Sequence, residues 1–88
     1  MSLSQTFQAL SEPNRQKIID LLKEGERSVS EILQDLNVTM PTLSHHLDIL
    51  KRADLISSRR DGQQVIYSLN LSVLEEITEQ ILKFLKIK

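Results

Sequence analysis

The sequence predicts a winged helix-turn-helix, a mainly α fold with a β-hairpin, in the order α-α-(short β)-α-α-β-β-α. Three observations lead to this fold class. Apolar residues recur at helical spacing through most of the 88 residues. A short helical stretch, a tight connection and a longer helical stretch over residues 39–50 make the pattern of a helix-turn-helix. After Asp54 the apolar period becomes two, and Asp61-Gly62 is a strong hairpin signal.

The first two helices are predicted on either side of a Ser-Glu-Pro interruption. Leu3, Phe7 and Leu10 fall at helical spacing and indicate a short first helix. Pro13 suits the first turn of the second helix, and Gly25 is its expected stop.

The third helix is predicted to be short and to follow an extended piece at residues 27–29. Ser28 and Glu31 have capping-box spacing, although Ser30 could serve as the cap instead. Val38 is expected to fill the gap between this helix and the next.

Residues 39–50 predict a capped helix with two different sides. Thr39 is the expected N-cap, and Pro41 fits the first turn. The inner side is expected to hold Leu43, His46, Leu47 and Leu50. Small polar groups near a helix start can touch base edges in a major groove. The predicted DNA-binding residues of this segment are Thr39, Met40, Pro41, Thr42, Ser44 and His45. For Met40, contact with a thymine methyl group and a purely structural role in the turn stay open.

The hairpin supplies the second set of candidate DNA contacts. Arg59 and Arg60 precede its tip, where a wing can reach a minor groove or flanking phosphates. Strand alternation sends the two arginines to opposite faces, so we expect one of them to make the contact. Gln64 is a weaker candidate at the tip.

The last helix is expected to begin after a cap at Ser72. Its apolar stripe exceeds what one small core can cover, and Ile87 continues it. Residues 1–88 are therefore predicted to form a single domain whose first and last helices make a dimer interface. The predicted interface residues are Leu3, Phe7, Leu74, Ile77, Ile81, Phe84 and Leu85.

Composition excludes several other functions. The net charge is −1, but residues 39–70 carry four basic and three acidic side chains, a balance of +1 that favours local phosphate contact. The chain has no cysteine, which excludes disulfides and thiolate metal sites. No apolar run approaches the ~20 residues that span a membrane. No signal peptide is visible, so we expect a cytoplasmic protein without membrane insertion.

The side chains suggest no catalytic or metal site. His45 and His46 are neighbours that point about 100° apart on a helix, so they cannot converge on one ion. Ser44 cannot pair with either histidine as a nucleophile, and no oxyanion donor is evident. We therefore expect neither an enzyme, nor a metal, nor a cofactor.

Several segments together resemble the ArsR/SmtB family of bacterial repressors. The matching segments run from about Phe7 to Leu74, almost the whole chain. They are Ala9–Arg15, Val29–Ile32, Pro41–Leu47 and Leu55–Gly62, with Ile18, Leu22, Leu50 and Tyr67. The resemblance implies a homodimer that binds operator DNA through the helix-turn-helix, with the first and last helices at the interface.

The sequence departs from the metal-sensing members of that family. Their cysteine pair falls here at Ser28 and Ser30, and hydroxyls do not replace the thiolates that soft metals prefer. Their histidine-containing site on the last helix meets only glutamates. The chain looks more like the short metal-free repressors, including autorepressors of toxin-immunity operons, and that likeness implies a protein anti-repressor as a further partner.

The sequence therefore predicts a DNA-binding repressor, either of its own gene or of other genes, that binds an inverted repeat in double-stranded DNA. The competing hypothesis is a protein-interaction module that kept the fold and lost DNA binding. The net charge favours that alternative slightly, while the polar helix start and the wing arginines argue against it.

Overall fold

The computed structural model describes residues 2–85 and confirms the predicted fold class. Its elements follow in the expected order, including the short first strand. They are α1 (Leu3–Ala9), α2 (Pro13–Lys23), β1 (Arg27–Ser28), α3 (Val29–Asp35), α4 (Met40–Arg52), β2 (Ile56–Asp61), β3 (Gln64–Leu69) and α5 (Leu71–Leu85). Helix α3, the connection after it and α4 form the helix-turn-helix, and β2 and β3 form the wing.

A complete capping box starts α3. The Ser28 hydroxyl accepts the backbone N–H of Glu31 at 3.2 Å, and the backbone N–H of Ser28 donates to the Glu31 carboxylate at 2.8 Å. Ser28 is therefore the cap, and the alternative at Ser30 is wrong. The backbone N–H and the hydroxyl of Ser28 hold the pKa of Glu31 below its usual range, with the backbone bond as the largest cause.

Helix α4 ends in a tight turn that directs the chain into the wing. The backbone N–H of Leu55 donates to the carbonyl of Leu50 at 3.1 Å, and that of Asp54 donates to Lys51 at 3.0 Å. This is the bond pattern of a Schellman motif, whose turning residue lies in the left-handed region. Asp54 occupies that position with φ +60°, where glycine is usual.

The sheet has the strand order β1-β3-β2, and both pairs are antiparallel. Asp61 pairs with Gln64 as the last step of the wing ladder. The turn therefore consists of Gly62 and Gln63, one residue later than the Asp61-Gly62 pair that signalled it. Gly62 takes φ +65° at the first turn position, where a two-residue hairpin often requires glycine.

The start of α5 and one residue of its stripe differ from the prediction. The helix begins at Leu71, with the carbonyl of Asn70 accepting from the backbone of Leu74 at 3.1 Å, so a cap at Ser72 is wrong. Ile77 is only 7% exposed and belongs to the core of the monomer, so it offers little surface to a partner. Ile87 lies outside the described residues.

The core lies between the inner sides of α2, α3 and α4 and the start of the wing. Its fully buried large residues come from four different elements or connections, and Thr6 of α1 joins them. They are Ile18, Ile32, Leu43, Leu50 and Leu55. Val38 packs against this cluster, as expected for the residue between α3 and α4. The rigid packing of α4 on this core fixes which of its sides faces solvent.

Candidate nucleic-acid interface

The N-terminal turn of α4 faces solvent. The Thr39 hydroxyl accepts the backbone N–H of Thr42 at 3.4 Å and donates to the Thr42 hydroxyl at 3.0 Å. This cap holds the start of the helix and leaves the Thr42 hydroxyl able to donate its own proton. All the predicted residues of this end are exposed, namely Thr39, Met40, Pro41, Thr42, Ser44 and His45. Among them, Thr39, Thr42, Ser44 and His45 carry hydrogen-bonding side chains at the positive end of a helix dipole.

The two histidines lie on different sides of α4. Their ring centroids are 6.0 Å apart and the rings are inclined by 50°. His45 is exposed, whereas His46 is 6% exposed and shares the inner side with Leu43 and Leu47. The structure thus agrees with the expectation that His46 is a buried hydrogen-bonding residue.

His46 belongs to a buried polar network that sequence reasoning missed. Arg15 of α2 places its Nη1 3.2 Å from His46 Nδ1. The same guanidinium donates from Nε to the carbonyl of Ala9 at 2.6 Å and from Nη2 to that of Gln8 at 3.3 Å. On the other side of the ring, His46 Nε2 lies 3.8 Å from Glu12 Oε2. The network joins the C-terminal end of α1, α2 and α4.

The carboxylate of Glu12 is the acidic member of that network. Burial raises the pKa of Glu12, but the backbone bonds from Arg15 and Asn14 and the positive charge of Arg15 outweigh burial and lower it. Glu12 Oε1 also accepts the backbone N–H of Arg15 at 3.0 Å and so caps α2. Glu12 thus remains charged at the edge of the His46 site.

The two wing arginines differ in how far they are already neutralised. Arg59 Nη2 lies 2.8 Å from Glu26 Oε1, and Arg59 Nη1 lies 3.8 Å from Asp61 Oδ2. This contact holds the pKa of Glu26 below its usual range. Arg60 takes part in no ion pair within residues 2–85, and it is exposed opposite Val65, the residue that follows Gln64 in β3. Of the two wing arginines, Arg60 is therefore the one without a carboxylate partner among residues 2–85.

A groove of about 340 Å³ separates α4 from the wing. Met40 and Ser44 lie along its helix side, and Val65 and Tyr67 along its strand side. At its far end Lys51 Nζ donates to the hydroxyl of Ser58 at 2.8 Å, and this bond braces helix and wing. Burial raises the pKa of the Tyr67 hydroxyl, and the charge of Asp48 adds to the effect. Helix start and wing thus flank a channel whose two walls carry polar groups.

Five of the seven predicted dimer residues lie along a second surface. Helices α1 and α5 border an apolar groove of about 510 Å³, lined by Leu3, Ser4, Phe7, Ile81, Phe84 and Leu85. Phe84 is 79% exposed and Phe7 54%. Leu74 is half-buried against the core, and Leu82, which the stripe did not single out, is 51% exposed. We call the surface formed by Leu3, Phe7, Ile81, Phe84 and Leu85 the apolar face.

Within residues 2–85, no group of three histidine, cysteine, aspartate or glutamate side chains is arranged to hold a metal ion. None of the described helices combines the length and the apolar character needed to cross a membrane.

Comparisons with known proteins agree with this geometry. The family model "Bacterial regulatory protein, arsR family" matches residues 12–58, more than half of the chain. The chain is 43% identical over 83 residues to the transcriptional repressor SdpR of Bacillus subtilis, which covers 94% of this chain and 92% of that protein. It is 35% identical over 79 residues to the arsenical resistance operon repressor of Staphylococcus aureus, covering 90% and 76% of the two chains. The solved ArsR-like transcriptional regulator from Rhodococcus sp. RHA1 shares the fold with a TM-score of 0.85 at 24% identity, over 93% and 77% of the chains.

Proposed function

This chain belongs to the ArsR family of bacterial regulatory proteins, and we propose that it is a homodimeric repressor that reads an inverted-repeat operator. Its family and its relatives are transcriptional regulators and repressors, and not enzymes. The observation that carries the proposal is the division of α4 into two sides. Leu43, His46 and Leu47 are buried, while Thr42, Ser44 and His45 stand exposed at the capped end.

In this proposal the exposed start of α4 enters the major groove. Thr42 and Ser44 can donate to or accept from base edges, and His45 presents an imidazole with one donor and one acceptor nitrogen. Arg60 contacts a phosphate beside the groove, with Gln64 at the wing tip. Arg59 contributes less in our proposal because Glu26 already neutralises it at 2.8 Å. The groove between α4 and the wing leaves room for the sugar–phosphate strand.

The apolar face supports the dimer. An exposed cluster that includes two phenylalanines is costly in water, and a second copy would cover it by an isologous contact. A two-fold axis through this face would present two copies of α4 to one side of a duplex. Half-sites are then expected about 10 bp apart, centre to centre, or slightly more.

We propose that the inducing signal is not a directly bound metal ion. The Ser28 hydroxyl is engaged in the cap of α3, and hydroxyls at residues 28 and 30 are poor ligands for soft metals. Release by a protein anti-repressor is the expectation from the sequence, and a DNA partner implies action in the cytoplasm. The alternative of a protein-interaction module without DNA binding is less favoured, because the relatives are named as repressors.

Titration of an operator duplex and a random duplex tests the assignment of the groove contacts. His45→Ala is expected to weaken operator binding by about tenfold or more, since one good base contact is worth ~1–3 kcal/mol, and to leave random-duplex binding nearly unchanged. Replacing Arg59 and Arg60 with glutamine is expected to weaken both and to flatten the salt dependence. If neither change alters operator binding, the groove assignment is wrong.

A further inference from the structure

Arg15 is a buried cation whose guanidinium is hydrogen-bonded within the protein. Its side chain belongs to α2, yet its guanidinium binds two carbonyls at the end of α1 and the ring of His46 in α4. The residue is 8% exposed, so it cannot reach a phosphate from its observed position. Burying a charge is costly unless hydrogen bonds compensate it, and here the carbonyls of Gln8 and Ala9 and the His46 ring supply them.

The direction of these bonds fixes the state of the His46 ring. A guanidinium can only donate, so Nδ1 of His46 must accept the bond from Arg15 at 3.2 Å. The ring proton then sits on Nε2, which lies 3.8 Å from the carboxylate of Glu12. Each ring nitrogen therefore faces a different partner, and a flip of the ring would replace the accepting Nδ1 by the Cδ2–H group and lose the bond from Arg15.

This pairing restrains the rotation of α4 about its own axis. The apolar contacts of Leu43 and Leu47 hold the helix to the core, but the hydrophobic effect is non-directional and tolerates small rotations. A hydrogen bond from a guanidinium that is itself held by α1 depends steeply on angle. His46 directly follows His45 and lies two residues after Ser44, so a turn of the helix that breaks the bond also moves those groups relative to base edges.

We propose that Arg15 is a positioning residue for the DNA-reading helix, acting through His46 on specificity rather than on phosphate affinity. The inference rests on the proposed function, because it assumes that α4 reads DNA. In this proposal Arg15 contributes to recognition without touching nucleic acid. The C-terminal end of α1 contributes as well, because its carbonyls hold the guanidinium that orients α4.

The test compares Arg15→Met with Lys17→Met in the full chain. Both variants remove one positive charge from α2, but Lys17 is exposed and has no described partner. Arg15→Met is expected to reduce the ratio of operator to random-duplex affinity by about tenfold, the size of one lost hydrogen bond to a charged group. The slope of log K against log salt should be the same for Arg15→Met as for Lys17→Met. A fall in slope of about 0.9 per subunit would show that Arg15 contacts phosphate and would overturn the proposal.

A double-mutant cycle tests the route through His46. His46→Leu alone should lower the specificity ratio as Arg15→Met does, and the double variant should lose little more than the worse single variant. Losses that multiply would show that Arg15 does not act through His46. His46→Asn, which keeps an acceptor near the position of Nδ1, should recover part of the ratio. Multiplying losses overturn the proposal, and so does a His46→Asn variant that recovers no more of the ratio than His46→Leu.

Two further measurements keep the proposal separate from loss of folding and from failure of the proposed function. If Arg15→Met does not fold, Arg15→Lys takes its place in the same titrations. Lysine keeps the positive charge but lacks the planar set of donors with which the guanidinium binds several acceptors at once. Ring ¹⁵N shifts of His46 in the free protein must report an unprotonated, accepting Nδ1, and a protonated Nδ1 overturns the bond without any DNA. If the wild-type chain itself shows no preference for any duplex, the proposed function fails, and the ¹⁵N result still decides the geometry.

Discussion

Replacing Glu26 with glutamine is expected to strengthen DNA binding, because it removes an internal acid that competes with phosphate for Arg59. In the free protein the Arg59 guanidinium is 2.8 Å from the Glu26 carboxylate, and both side chains are about half exposed. Glutamine keeps the size of the side chain and removes its charge. The released arginine can then turn toward a DNA backbone beside the wing.

The size of the effect follows from counterion release. Each phosphate that a cation neutralises steepens the slope of log K against log salt by about 0.9, so two released arginines in a dimer add up to about 1.8. The gain in DNA affinity of Glu26→Gln over wild type should therefore be about tenfold larger at 50 mM salt than at 200 mM. The gain should appear on operator and random duplexes alike, since phosphate contacts carry no sequence information.

Fluorescence anisotropy of a labelled duplex across that salt range measures the slope. Glu24→Gln is the matched control, because it removes the same charge from the same connection but releases Arg27, 3.3 Å away, instead of a wing residue. Equal slopes for Glu26→Gln and Glu24→Gln would refute the reasoning and leave only a general charge effect. A steeper slope for Glu26→Gln alone would support it.

Three other changes test the fold and the apolar face. Asp54→Gly should raise the free energy of unfolding by about 0.5–1 kcal/mol in urea, because glycine adopts φ +60° without strain, and a decrease would contradict the turn geometry. Phe84→Ser should shift the protein toward monomer in sedimentation velocity while Lys83→Ser does not, and an unchanged dimer would exclude Phe84 from the interface. Hydrogen bonds from Ser28 lower the pKa of Glu31, so its stabilising effect is present above about pH 4 and is lost as the pH falls through the lowered value. The difference in stability between wild type and Glu31→Gln should therefore shrink in acid, and a constant difference would argue against the capping box.

Most of the fold is local and could be predicted from the sequence. Apolar periodicity located the helices, and turn chemistry located the wing, because both depend on residues within a few positions of each other. Errors arose where local signals compete. Ser72 is a good cap residue, but α5 extends back to Leu71, and Ile77 lies on the apolar stripe yet points into the core.

The network around the DNA-reading helix could not be predicted because its partners are far apart in sequence. Arg15 and His46 are separated by 31 positions, and Glu26 and Arg59 by 33. One signal was available for Arg15, since it falls three residues before Ile18 on the buried face of α2. A charged residue at such a position indicates a buried partner, but periodicity alone does not say which one.

Selection of bound sequences from random duplexes by the full chain tests the central claim most directly. We expect enrichment of a palindrome with two half-sites about one helical turn apart, and we expect His45→Ala to lose the preference at defined base pairs in each half-site. Enrichment of no sequence, or of a single unpaired half-site that His45→Ala leaves unchanged, would contradict the claim that a dimer of this chain reads DNA through the start of α4.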